Sequence, residues 1–179
     1  MSKILVEVED LKTYFPVKSG VFKKVTGHVH AVDGISFKVN EQETFALVGE
    51  SGCGKSTTGR SILRIIDPTS GKVTFDGNDV LMLSKDEMRK KRKDMQLIFQ
   101  NPYSSLNPRM TVKKLLEEPL ITHFEMTQKE MDEQVLWIMN KVGLSSDQLE
   151  RYPHQFSGGQ RQRISIARAI ISKPKFVVA

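Results

Sequence analysis

Residues 49–56 read Gly49-Glu50-Ser51-Gly52-Cys53-Gly54-Lys55-Ser56 and fit the pattern G-x-x-x-x-G-K-[ST] in full. The spacing has a chemical reason. A polyphosphate needs several N–H donors converging on one phosphate, and glycines let the backbone wrap that closely. A helix starting at the end of the loop adds bare N–H groups and the positive end of its dipole. Lys55 supplies a point charge, and the Ser56 hydroxyl suits a divalent cation. Thr57 and Thr58 can add donors in the first helical turn. Cys53 occupies a variable position of the pattern and reads as a tolerated small residue. A helix N-terminus can activate a thiol, which makes Cys53 a target for alkylation unless a ligand covers it.

A second constellation lies about a hundred residues further on. Phe156-Ser157-Gly158-Gly159-Gln160 is followed by Arg161-Gln162-Arg163. Two glycines at a helix start, beside a capping serine, make another anion-binding helix end.

The elements around these motifs follow from pattern. Residues 3–8, 29–39 and 43–48 read as strands, with 18–27 a loop between the first two and Asn40-Glu41-Gln42 a turn. The strand from Thr44 to Val48 delivers the chain into the 49–54 turn. A helix over 56–66 leaves it and stops at Asp67-Pro68. A strand over 72–77 follows. Ser84 and Glu87 have capping-box spacing for a helix to about Lys93, and Met95–Phe99 is a compact apolar strand. Asn101–Pro108 is a loop. A helix over 111–118 is expected to stop at Pro119. Thr127 and Glu130 form a second capping box, and Met131, Val135, Ile138, Met139 and Val142 give the next helix one apolar face, with Gly143 past its end. Ser157 opens a helix to about Ser172. Lys175–Ala179 reads as a buried strand with no turn after it, so the chain is expected to be a fragment cut within its domain and to fold poorly alone.

Composition narrows the function. Of 179 residues, 39% are hydrophobic and 27% charged, with a net charge of +6, which is globular rather than disordered. No apolar run approaches the ~20 residues of a membrane-spanning helix. The N-terminal stretch carries charges inside its apolar part, unlike a secretory signal. Cys53 is the only cysteine, so no intrachain disulfide forms, as fits a reducing compartment. The Arg89–Lys93 run lacks interleaved aromatics and reads as a solvated helix face; no nucleic acid is expected. His28, His30, His123 and His154 have no metal-ligand spacing. The methionines and Trp137 read as packing, and His154 as structural.

The quoted segments together carry a resemblance. LVGESGCGKST, LIFQNPYSSLNPRMTV and RYPHQFSGGQRQRISIARAI resemble the ATP-binding subunits of ABC transporters. AVDGISF, NPYSSLNPRMTV and the EEPL at 117–120 are similar to the dipeptide/oligopeptide importer branch. The resemblance runs from about Leu5 to Ala179.

It implies an α/β fold: a P-loop NTPase of ABC type, truncated, with a parallel-sheet core, an antiparallel β subdomain and an α-helical signature subdomain. It divides the chain into a β subdomain and P-loop core (1–100), a helical subdomain (101–172) and the start of a further core strand (173–179). It implies that Gly49, Ser51, Gly52, Cys53, Gly54, Lys55, Ser56 and Thr57 hold ATP and Mg²⁺. Phe15 aligns with the family's adenine-stacking aromatic, with Tyr14 the adjacent candidate. Gln100 matches the glutamine that contacts Mg²⁺ and the attacking water. Ser157, Gly158, Gly159 and Gln160 would face ATP held by an opposite, head-to-tail subunit, identical or related.

Lys55 and Gln100 are the expected catalytic residues, Ser56 and Gln100 the metal contacts. Permease subunits, a second ATP-binding subunit and, indirectly, a substrate-binding protein are the implied partners, at the cytoplasmic face of the membrane. The implied activity is ATP hydrolysis driving uptake of di- and oligopeptides. A soluble ATPase of the same type acting on nucleic acid or ribosomes is the alternative, and a non-catalytic nucleotide-binding remnant a third. The family's Asp-Glu pair and switch histidine would follow Ala179, so slow hydrolysis is expected of these residues by themselves.

Overall fold

A computed structural model describes residues 3–20, 24–101 and 105–179, in two compact units, Met1–Met88 and Arg89–Ala179. Residues 89–100, grouped above with the β subdomain, fall in the second unit.

The first unit is built on a long hairpin of β1 (Ile4–Ser19) and β2 (Lys24–Asn40). Alternation of Leu, Val and Ile with polar residues lets one face of the hairpin bury Val6, Val8, Val32 and Val39. β3 (Ser70–Phe75) pairs antiparallel with β1, and the two-residue β4 (Asn78–Asp79) with β3, giving the order β2-β1-β3-β4. β3 leaves β1 at the Lys12–Ser70 pair, so residues 14–19 continue with β2 as a two-stranded ribbon. Pro16 lies in that ribbon, where the missing N–H disrupts no interior ladder.

The expected loop over 18–27 is therefore mostly strand: its described residues continue the two strands, and residues 21–23 lie outside the described set. The Gly and Ser there punctuate a hairpin end rather than a loop.

The strand expected over 43–48 does not form. Those residues belong to no ladder among the described residues, and Phe45, Leu47 and Val48 are exposed, Val48 at 91%. An apolar β-prone run becomes a strand only when its backbone pairs with another strand; here no such pairing forms among the described residues, and Phe45 instead stacks on Phe37 of β2 (centroids 4.8 Å apart).

After the 49–54 turn comes α1 (Lys55–Ile62), shorter than the expected 56–66. Its apolar tail leaves the helix at Leu63, and Arg64 takes a left-handed conformation (φ 49°) that helix geometry forbids.

In the second unit, α2 (Lys85–Lys91) spans the boundary and begins at the expected box, where the Ser84 and Glu87 side chains satisfy each other's backbone. β5 (Met95–Leu97) pairs in parallel with β6 (Phe176–Val178), as the two apolar runs require.

α3 (Val112–His123) runs through Pro119, contrary to the stop expected there. The ring removes one N–H, but Leu115, Leu116 and Leu120 are all buried on one face. Each buried leucine contributes about 1.5–3 kcal/mol, enough together to offset the ~3 kcal/mol a helix-interior proline costs.

α4 (Gln128–Lys141) carries the predicted Thr127–Glu130 capping box, and Gly143 takes the left-handed conformation past its end (φ 67°). α5 (Gly158–Ile170) starts at Ser157. Val135, Ile138, Met139, Ile164 and Ile171 join the α3 leucines in this unit's core. No helix among the described residues is long and apolar enough to cross a membrane.

Candidate phosphate-binding site

The loop at 49–56 is held from its downstream side. Gly54 caps α1 in a left-handed conformation (φ 94°), and a Cβ built on it would lie 1.9 Å from the Ala31 carbonyl oxygen of β2. Both conformation and space demand glycine here. Gly49 is constrained differently, since a Cβ there would lie 2.6 Å from the Cys53 sulfur. The Gly54 carbonyl accepts from the Thr58 N–H at 2.8 Å and from the Thr58 hydroxyl at 3.1 Å. The buried Thr58 hydroxyl is thus bonded within the helix rather than offered to a ligand, a correction to the expectation above.

A buried bond between the Thr13 and Ser61 hydroxyls, 2.9 Å long, ties α1 to β1. Among the described residues no strand forms over 43–48 ahead of the loop, and these contacts from β1 and β2 hold its downstream side.

Lys55 reaches back across the loop. Its ammonium donates to the carbonyls of Gly49 at 2.7 Å and Glu50 at 2.6 Å and lies 3.5 Å from the Cys53 sulfur. Ser51, Gly52, Cys53 and Ser56 are exposed; Gly54, Lys55 and Thr57 are half-buried. Gly52 is left-handed (φ 84°) with open space where a side chain would stand. The result is an open cradle whose cation is bonded to the loop's own carbonyls. Cys53 does more than fill a tolerated position, for its sulfur packs over Gly49 and touches the lysine.

The two aromatic candidates part company. Tyr14 stacks on His30 (centroids 3.9 Å apart) and its hydroxyl donates to Asp33, which holds that carboxyl below the usual carboxylate range. Phe15, the next residue, faces the other side of the ribbon, opposite Val29, and is 40% exposed. Tyr14 is thus already engaged by His30 and Asp33, whereas Phe15 is the more exposed of the two rings.

The remaining candidates lie in the second unit. The Ser157 hydroxyl accepts from the Gln160 N–H at 3.3 Å and the Gln160 side chain accepts from the Ser157 N–H at 3.0 Å, a reciprocal cap. Ser157, Gly158 and Gly159 are exposed. Phe156 anchors the turn in the core, and Arg161 Nε donates to its carbonyl at 2.9 Å. Gln100 is exposed, three residues past β5. Sequence reading missed Ala31, whose carbonyl meets Gly54. It is the extra residue of a β-bulge, Thr13 pairing with Val32 and Tyr14 with His30. Nothing in the residue types marks it.

Residues 32–179, which hold both motifs, match the family model described as ABC transporter. The chain belongs to the ABC transporter family. Among this family's members it is 48% identical over 176 residues to the oligopeptide transport ATP-binding protein AppF of Bacillus subtilis, covering 98% of this chain and 54% of that protein. It is 49% identical over 175 residues to the dipeptide transport ATP-binding protein DppF of Haemophilus influenzae, covering 98% and 53%. It is 47% identical over 175 residues to the glutathione import ATP-binding protein GsiA of Pectobacterium atrosepticum, covering 98% and 28%. The chain thus spans about half the length of its oligopeptide and dipeptide relatives. A solved ABC cassette, MJ0796 in a dimeric post-hydrolysis state bound to ADP and Pi, superposes with a TM-score of 0.84 at 29% identity, covering 96% of this chain and 72% of that one. The α/β fold of the ABC cassette, with an antiparallel sheet and a small parallel one, is therefore that of this chain.

Proposed function

We propose that this chain is the nucleotide-binding part of an ABC importer ATPase that drives uptake of di- and oligopeptides. The observation carrying the proposal is the cradle: no side chain fits at Gly54, a Cβ at Gly49 would press on the Cys53 sulfur, and a lysine ammonium stands at the loop mouth. The ligand that suits it is the phosphate tail of ATP. Lys55 would exchange the Gly49 and Glu50 carbonyls for phosphate oxygens, and the N–H groups of residues 51–57 would close on the same atoms.

The exposed Ser56 hydroxyl is an oxygen ligand of the kind Mg²⁺ takes, and Gln100 offers another. Bound there, Mg²⁺ would neutralise charge on the phosphates. Phe15 would stack on adenine. Ser157, Gly158, Gly159 and Gln160 would address the nucleotide held by a second, head-to-tail copy or paralogue, which the dimeric state of MJ0796 supports.

The names of the relatives AppF and DppF support peptides as the transported class. A transport role calls for membrane permease subunits as partners, and we infer a substrate-binding protein as an indirect one, with this chain at the cytoplasmic face. Equilibrium binding of ATP to the full chain tests the core of the reading. Lys55→Ala is expected to weaken ATP about ten- to a hundredfold, as losing a charge-assisted phosphate contact implies. Unchanged ATP affinity would overturn it.

A further inference from the structure

We propose that Val29 is a second positioning residue for the nucleotide base, forming with Phe15 a two-residue apolar shelf that holds the base by its flat face. The inference rests on the nucleotide reading above and goes beyond it in naming β2 as half of the base site.

The register of the ribbon carries the argument. Phe15 pairs with Val29, and the adjoining pair, Tyr14 with His30, is stacked on the reverse face. Alternation puts the Phe15 and Val29 side chains together on the opposite face. Both are open to a ligand, Val29 at 55% exposed.

The shelf is also fixed relative to the cradle. Ala31, two residues along β2 from Val29, has its carbonyl against Gly54 of the phosphate loop. Two residues of strand span about 7 Å. At this bulge the Ala31 carbonyl meets the loop, and beyond the stacked Tyr14–His30 pair Phe15 and Val29 are exposed. Shelf and cradle therefore belong to one compact unit, tied together through Ala31. A purine is the occupant this suits. Its flat apolar face matches a ring and a branched methyl pair, and its phosphates fall into the loop next door. Neither side chain carries a hydrogen-bonding group, so the contact is dispersion and stacking, indifferent to the pattern on the base edge.

The test compares ATP with inorganic tripolyphosphate, which fills the cradle without touching the shelf. In the full chain, Val29→Ala should weaken ATP about three- to tenfold, the effect of losing up to two buried methyl groups, and leave tripolyphosphate unchanged. Val25→Ala, the same loss farther along the strand, should change neither. Unchanged ATP affinity in Val29→Ala overturns the proposal. So does an equal loss of both ligands, or a matching loss in Val25→Ala, for these mark a structural role. Lys55→Ala measured alongside separates the two readings. If it weakens both ligands while Val29→Ala is silent, the shelf fails and the cradle stands. If Lys55→Ala leaves both ligands bound, the cradle itself fails.

Discussion

Cys53 is the residue where local chemistry and ligand meet most directly. Its sulfur is exposed, packs over Gly49 and lies 3.5 Å from the Lys55 ammonium. A phosphate tail in the loop would lie over it. Alkylation by a maleimide is expected to proceed readily in the free protein and to slow at least about tenfold under saturating ATP. Mass spectrometry of the 53-containing peptide checks this, and equal rates would dismiss the idea. The residue types alone conveyed most of this site. Gly49, Gly54, Lys55 and Ser56 each carry a side-chain property, or its absence, that the chemistry needs. Ala31 and Val29 were illegible, because they act through backbone position and register, and alanine and valine in a strand look alike whether or not a bulge redirects them.

Among the elements, the joint between β1 and α1 sets the cradle in place. Thr13 is 1% exposed and Ser61 0%, and their hydroxyls bond only because strand and helix are docked. Thr13→Val should cost about 1–3 kcal/mol, the penalty of a buried hydroxyl left without its partner. Adding Ser61→Ala should recover part of that loss, since no polar atom then remains orphaned. A thermal or urea double-mutant cycle reads the coupling, and strictly additive losses would show that the bond does not join the two elements. Helices with side-chain caps were legible here: the one capped by Thr127 and Glu130 begins where the spacing placed it, and the last begins at Ser157 as read, with Gln160 completing a cap the sequence reading did not note. Strand 43–48 and the stop at Pro119 were not. In each case packing decided the outcome: Phe45 stacked on Phe37 of β2 without backbone pairing among the described residues in one, a row of buried leucines in the other.

For the molecule as a whole, pH enters through His123 at the end of α3. Burial holds its imidazole below the ordinary value, and the nearby Lys93 and Arg89 charges push the same way, against Asp94. Folding thus favours the neutral ring. Stability from this group is complete above about 6.5, the unfolded value, and is lost as pH falls from there through the lowered folded value. His123→Gln should flatten the melting temperature between about pH 5 and 7 relative to the parent, and an unchanged slope would remove His123 from the account. The ribbon of β1 and β2 carries a different consequence. Because the bulge at Ala31 sets the ribbon against Gly54, the pairs from Tyr14–His30 outward lie one after another farther along the strands from that contact. Two residues added to each arm between Val17 and Val25 should therefore leave ATP affinity unchanged, and a loss of binding would show that the outer pairs bear on the loop.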